Sequence, residues 1–305
     1  MRSTSSPHVM THVRRTVAMT LAPLALAGLV ACSQTTSADA PPTSVATTIP
    51  TTTTTAAPTT TEAPTTTEAP TTTAAAPTTT LAPNVEIVGE FPDPFVAVGT
   101  SNGFETARIQ LRLAQLGFWS GNVADGRYGQ ATVQAVMAFQ KYLGLPATGK
   151  VNADTAAYLQ FVIERAHGTA DSGTLVEVDK SKQLLFIIVD GKTLWTFNTS
   201  TGSEQPYEAV NKNDPTKVEK GDSITPNGLW RVNRERPEGW WEGDLGEIYR
   251  PKYFVGGVAM HGMTSIPNYP ASHGCVRLST MAMDFIWDAG LVPLGTTVWV
   301  HGTNP

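Results

Sequence analysis

The sequence predicts a multidomain chain in which a small three-helix all-α domain is followed by a mostly β domain. Three observations predict it. Near residue 83 a stretch dominated by Thr, Pro and Ala gives way to ordinary globular sequence. Between 104 and 166 apolar residues recur at helical spacing and are punctuated by glycines. From 173 onward, short runs rich in Val, Ile, Phe, Thr and Trp alternate with Gly, Pro, Asn and Asp turns. A net charge of −5 over 305 residues gives no sign of a nucleic-acid partner.

Residues 1–31 read as a signal peptide of the lipoprotein type. Arg2, Arg14 and Arg15 precede a run of fourteen apolar or small residues from Val17 to Val30. A basic segment followed by an apolar run too short to cross a bilayer as a helix is an export signal. The end of that run, "LVAC", resembles a bacterial lipobox. The resemblance implies cleavage before Cys32 and a diacylglycerol on its thiol, placing the protein at the outer face of the cytoplasmic membrane and in the cell wall. Residues 32–83 contain no aromatic residue, Lys or Arg. Such a segment cannot bury enough apolar surface to offset its ordering entropy, and reads as a disordered tether. Extended at about 3.1 Å per residue, it would reach on the order of 150 Å.

The helical domain is expected over 104–166. In "TARIQLRLAQLG", Ile109, Leu113 and Leu116 stand at i, i+4 and i+7, with Gly117 as a stop. Turn glycines at 121, 126 and 129 separate this helix from "ATVQAVMAFQKYLGL", where Val136, Phe139 and Leu143 face inward and Gly144 ends the run. "NADTAAYLQFVIERA" gives a third helix with Asn152 as N-cap. Together "LGFW", "DGRYGQATVQAV", "FQ" and "TG" resemble the three-helix peptidoglycan-binding domain, which implies that fold and a peptidoglycan partner.

The β domain is expected over 173–303. "TLVEVDKSKQLLFIIVDGKTLWTFNTSTG" holds β-rich runs joined at Asp190-Gly191, a pair suited to a type I′ hairpin turn. "LWRVNRE", "YFVGGVAMHG" and "TTVWVHG" are further strands, and "TMAMDFIWDAG" is a helix. "EGWWEGDLGEIYRPKYF" is expected to form a flap over a cleft, with Trp240 and Trp241 anchoring it rather than stacking on substrate.

Cys275, in "PASHGCVRLS", is the one cysteine after the leader. An unpaired cysteine in an exported protein points to a reactive thiol. Thiols attack as thiolates, and a nearby imidazole can take the proton; His261 and His273 are both at hand. Gly274, with no Cβ, would let a substrate approach the backbone. Three readings fit these residues: a nucleophile with a histidine base, a zinc site of His261, His273 and Cys275, or a buried structural thiol.

"SHGCVRL" with "MHG" upstream, the opening hairpin, "STG" (200–202) and "ITPNG" (224–228) resemble the L,D-transpeptidase catalytic domain over about 174–300. The resemblance implies Cys275 as nucleophile, His261 as base oriented by the Gly262 carbonyl, and a pocket shaped by Ser272, His273 and Gly274. It further implies an oxyanion hole from the Gly274 and Cys275 N–H groups. Arg277 falls where a guanidinium could hold a stem-peptide carboxylate, or form a structural salt bridge. Ten residues separate His261 from Ser272, a shorter loop than in most members. The implied reaction is release of D-Ala from a tetrapeptide stem through a Cys275 thioester, then 3→3 cross-linking to a second stem. It needs no cofactor and no metal, and carbapenems would acylate Cys275. L,D-carboxypeptidase action and a non-catalytic wall-binding anchor are the alternatives.

Overall fold

The computed structural model describes residues 81–305; the expected signal peptide, Cys32 and nearly all of the expected tether lie outside the described residues. Helix α1 spans Phe104–Gln115, α2 Gln130–Tyr142 and α3 Ala153–Phe161. Ile109, Leu113, Leu116, Val136 and Phe139 are fully buried, so the helical stripes read from the sequence are the inward faces. Asn152 caps α3, its side chain accepting from the Thr155 N–H at 2.9 Å. α3 ends five residues short of the expected Ala166. The following backbone instead pairs with residues 86–88, Arg165 N–H donating to the Glu86 carbonyl and Val88 N–H to that of Ile163. The buried Arg112 guanidinium takes the freed carbonyls of Leu159 and Val162 at 2.9 and 2.7 Å.

The β region begins with β1 (Leu175–Asp179), β2 (Leu184–Val189) and β3 (Lys192–Asn198). The β2–β3 turn has Asp190 at φ 50° and Gly191 at φ 77°, the double left-handed geometry that a type I′ turn requires. β4 (Pro206–Val210) and β5 (Val218–Asp222) form a separate hairpin that the sequence did not signal, because neither "PYEAV" nor "VEKGD" has a buried face to mark it. β6 (Gly228–Arg231) and β7 (Arg234–Glu235) together occupy the stretch read as one strand. The chain changes sheets between them: Val232 N–H donates to Thr296, Asn233 N–H to Tyr253.

β8 (Trp240–Gly243), β9 (Gly246–Val255), β10 (Val258–Met263) and β11 (Val276–Ser279) follow, then α4 (Thr280–Asp288) and β12 (Thr297–His301). One sheet runs β3-β2-β1-β12-β6; the other runs β11-β10-β9-β7, with β8 on β9. Four helices therefore occur among the described residues, three before β1 and one inside the β region.

Strand β2, "LLFIIV", is buried on both faces. Leu185 and Ile187 join the core between the two sheets, whereas Leu184, Phe186 and Ile188 join the core of the helical region. This explains the unbroken apolar run: a strand covered on both sides has no polar face to alternate with. Further ties hold the regions together. Thr196 N–H donates to Gly117 and Trp119 N–H to Thr196, at 2.7 and 3.2 Å. Lys141 on α2 donates to the carbonyls of Gln183 and Thr199, and burial without an acid partner pushes its ammonium down to about 7.

Candidate active site

His261 lies on β10 and Cys275 immediately before β11, two adjacent parallel strands in the register Met260↔Val276 and His261↔Arg277. Met260 and Val276 point into the core. Side chains alternate along a strand, so His261, Arg277 and Cys275, which immediately precedes β11, share the opposite face.

His261 is 2% exposed, and its Nδ1 lies 3.0 Å from the Gly262 carbonyl. A carbonyl can only accept, so Nδ1 carries the proton and Nε2 keeps its lone pair. Burial is the main cause that pushes the imidazole down to about 4, with the Arg277 charge adding to it. His261 is therefore neutral near pH 7. The ladder between β9 and β10 slips opposite it, Met260 pairing with Lys252 and Gly262 with Tyr249. Pro251, which has no N–H to give, lies in that slip beside Arg250 at φ 45°. A Cβ on Gly262 would come within 2.9 Å of the Tyr249 ring and 3.0 Å of Thr280 Cα, so this position takes no side chain.

Cys275 is partly exposed, with Sγ 3.9 Å from the Gly257 carbonyl. Burial among protein atoms raises its thiol pKa, opposed by the Ala259 N–H and the Arg277 charge. A thiol shifted up and an imidazole shifted down favour a neutral pair at rest. Arg277 has no carboxylate partner among the described residues, which removes the structural salt bridge as its role.

The loop before Cys275 is closed by short polar links. Ser272, buried, donates through Oγ to the Cys275 carbonyl and accepts the Gly274 N–H at 3.0 Å. The Gly274 N–H, one of the two donors expected to form an oxyanion hole, is thus engaged by the Ser272 hydroxyl. Gly274 has φ 131°, and a Cβ there would lie 2.7 Å from the Ile224 carbonyl. Thr225 Oγ1 donates to the Gly274 carbonyl at 2.7 Å and accepts the Gly202 N–H at 2.9 Å. One buried hydroxyl thus ties "STG", "ITPNG" and "SHGC" together. His273 is exposed and packs on Tyr207 of β4, ring centroids 4.8 Å apart. It does not join His261 and Cys275 as a ligand: among the described residues no three His, Cys, Asp or Glu stand close enough to hold a metal ion.

The expected flap is the β8–β9 hairpin. Trp240 packs on Tyr249 at 5.3 Å and Trp241 lies under the Arg236 guanidinium at 4.2 Å, yet each is about two-fifths exposed. Its turn meets the β4–β5 hairpin, where Lys212 N–H donates to Asp244 at 2.8 Å. The short loop after His261 leans on the helical region. Gln130 donates to Thr264 at 2.7 Å, Gln134 to Ile266 at 3.3 Å, and Asn268 to Ala147 at 3.0 Å. Nothing local in the sequence marks Thr225, Gln130, Gln134 or Tyr207 for these contacts, save that the i, i+4 glutamines in α2 form a polar pair off its apolar stripe.

Two facing sheets, with a histidine on one strand and a cysteine just before its parallel neighbour, pack on a helical region to define a two-part chain. Residues 173–300 match the L,D-transpeptidase catalytic domain family and residues 102–159 the peptidoglycan binding domain family. The crystal structure of an L,D-transpeptidase (residues 123–326) from Xylanimonas cellulosilytica is 41% identical, covering 70% of this chain and all of that one, with a TM-score of 0.60. An L,D-transpeptidase (Yku) from Stackebrandtia nassauensis is 23% identical over 70% of this chain and 98% of that one, with a TM-score of 0.41. The N-acetylmuramoyl-L-alanine amidase CwlM of Mycobacterium tuberculosis is 39% identical over 66 residues, 22% of this chain and only 16% of that protein. The chain belongs to the L,D-transpeptidase family.

Two outcomes follow from this geometry. Thr225→Val leaves the Gly202 N–H and Gly274 carbonyl unpaired in a buried site, which costs roughly 1–3 kcal/mol for each group. Urea denaturation should register that loss and Thr225→Ser should restore most of it; a Val variant as stable as the parent would show that the bridge is dispensable. Because the thiol is raised and the imidazole lowered, alkylation of Cys275 by iodoacetamide should climb through pH 9 and beyond. A rate plateau already reached below pH 7 would instead reveal a resting thiolate–imidazolium pair.

Proposed function

We propose that this protein cross-links peptidoglycan 3→3 through a cysteine acyl-enzyme. The observation that carries the reading is the His261 Nδ1 contact with the Gly262 carbonyl, which reserves Nε2 as a proton acceptor on the face shared with Cys275. Cys275 Sγ attacks the carbonyl between the third residue and D-Ala of a tetrapeptide stem, and its proton passes to His261 Nε2. His261 returns that proton to the departing D-Ala amine as the C–N bond breaks, leaving a thioester. The side-chain amine of a second stem's third residue attacks the thioester, its proton goes to His261, and the released thiolate is reprotonated. Arg277, charged and without a carboxylate partner among the described residues, suits a stem carboxylate. Ser272 and Gly274 hold the loop that presents the thiol, while His273 with Tyr207 borders the cleft.

The sequence-derived leader completes the picture: the protein is exported, held to the membrane through a lipid on Cys32, and carried into the wall by the 32–83 segment. Among the described residues no helix is long and apolar enough to cross a membrane.

Incubation with disaccharide-tetrapeptide, with products weighed by mass spectrometry, tests the reaction. A dimer lighter than two substrates by one D-Ala, absent with Cys275→Ala, is expected. Tripeptide plus free D-Ala as the only products would replace this reading by an L,D-carboxypeptidase, and no turnover at all by a wall anchor. For the anchor, Cys32→Ser should move the protein from the membrane fraction to the soluble fraction; persistence in the membrane fraction would refute lipidation there.

A further inference from the structure

A cleft of about 520 Å³ opens where the helical region meets α4. That size lies within the roughly 300–1,000 Å³ of small-molecule sites. Trp119 and Phe285 form its apolar base, stacked with centroids 5.3 Å apart and planes at 24°. Exposed Met281 of α4 adds to this apolar surface, and Asn122, Arg127 and Asp288 supply an exposed polar rim. Trp119 is 4% exposed, and its indole N–H has no acceptor among the described residues. Buried donors are nearly always paired, so this orphan beside a cleft calls for an acceptor that the described residues do not supply.

We infer that this cleft binds the glycan strand of peptidoglycan, and that its two walls come from the helical region and the catalytic domain together. A pyranose ring has an apolar C–H face and a rim of hydroxyls. A flat aromatic and thioether base within a ring of amide, guanidinium and carboxylate groups matches both features. Arg250 pairs with Asp284 and Asp288 at 2.7 and 3.5 Å, so the lining offers the several carboxylates of a stem peptide only Arg127, itself beside Asp125. The cleft also reaches the reactive site. Gln130, one of its lining residues, donates to Thr264 in the loop that follows His261. α4, the opposite wall, begins at the residue after β11. A sugar strand held here would be registered against the thiol by one helix on each side. The inference rests on the peptidoglycan substrate proposed above and adds where its polysaccharide lies.

The test uses the full-length protein in detergent and peptide-free GlcNAc–MurNAc oligomers, with binding followed by calorimetry. The paired exposed substitutions Met281→Glu and Asn122→Ala should weaken binding about tenfold or more, a loss of roughly 1.4 kcal/mol. A urea unfolding midpoint unchanged from the parent's reports that the variant is folded. Cys275→Ala should bind the oligomers as the parent does. Parent protein that ignores peptide-free glycan, a variant that binds it equally well, or a variant that loses affinity for free stem peptide instead would each overturn the inference. Because binding is read without turnover, failure of the cross-linking reading leaves this result independent.

Discussion

The two-sided burial of β2 is the constraint on which the rest of the molecule depends. Leu184, Phe186 and Ile188 complete the helical core while Leu185 and Ile187 complete the core between the sheets. At roughly 1.5–3 kcal/mol per fully buried large apolar side chain, the three on the helical side amount to roughly 5–9 kcal/mol. That is comparable with a domain's whole net stability of about 5–15 kcal/mol. The helical region is therefore not an appendage on a self-sufficient catalytic domain. Its docking sets the position of α2, and α2 in turn supports the loop that leaves His261.

The reactive face is organised by neutral, short-range contacts rather than by ion pairs. Thr225, Ser272 and the Gly262 carbonyl fix the backbone around Cys275 and the tautomer of His261. Arg277 contributes a charge close to both titrating groups, lowering the pKa of each. Its effect on the thiol is smaller than that of burial, so the resting site holds a thiol and a neutral imidazole. In the reaction proposed for it, such a site would keep Cys275 unreactive toward casual electrophiles until a carbonyl is seated within reach.

Much of this was legible in the sequence wherever the signal is local. Ile109, Leu113 and Leu116 declare their helix face by spacing, Asp190-Gly191 declares its turn by backbone preference, and Cys275 with His261 stands out by chemistry. What escaped depends on distant partners. The end of α3 is set by pairing with residues 86–88, which no propensity within 153–166 encodes. The division of "LWRVNRE" between two sheets depends on acceptors at Thr296 and Tyr253. The β4–β5 hairpin carries too little apolar alternation to announce itself. The capture of the Gly274 N–H by Ser272 could not be read from a motif that places both residues in the same four-letter word.

The bracing of the ten-residue loop between His261 and Ser272 by Gln130, Gln134 and Ala147 bears on how such a chain can change over generations. Domains joined like beads can be exchanged by recombination at the linker, each arriving with its own function intact. Here a cut near residue 166 would separate a loop from its scaffold and one face of a strand from its cover. Insertions in that loop and alterations along α2 must be accepted together or not at all. The two sequence families that meet in this chain are thus inherited as one unit, and their histories should be congruent.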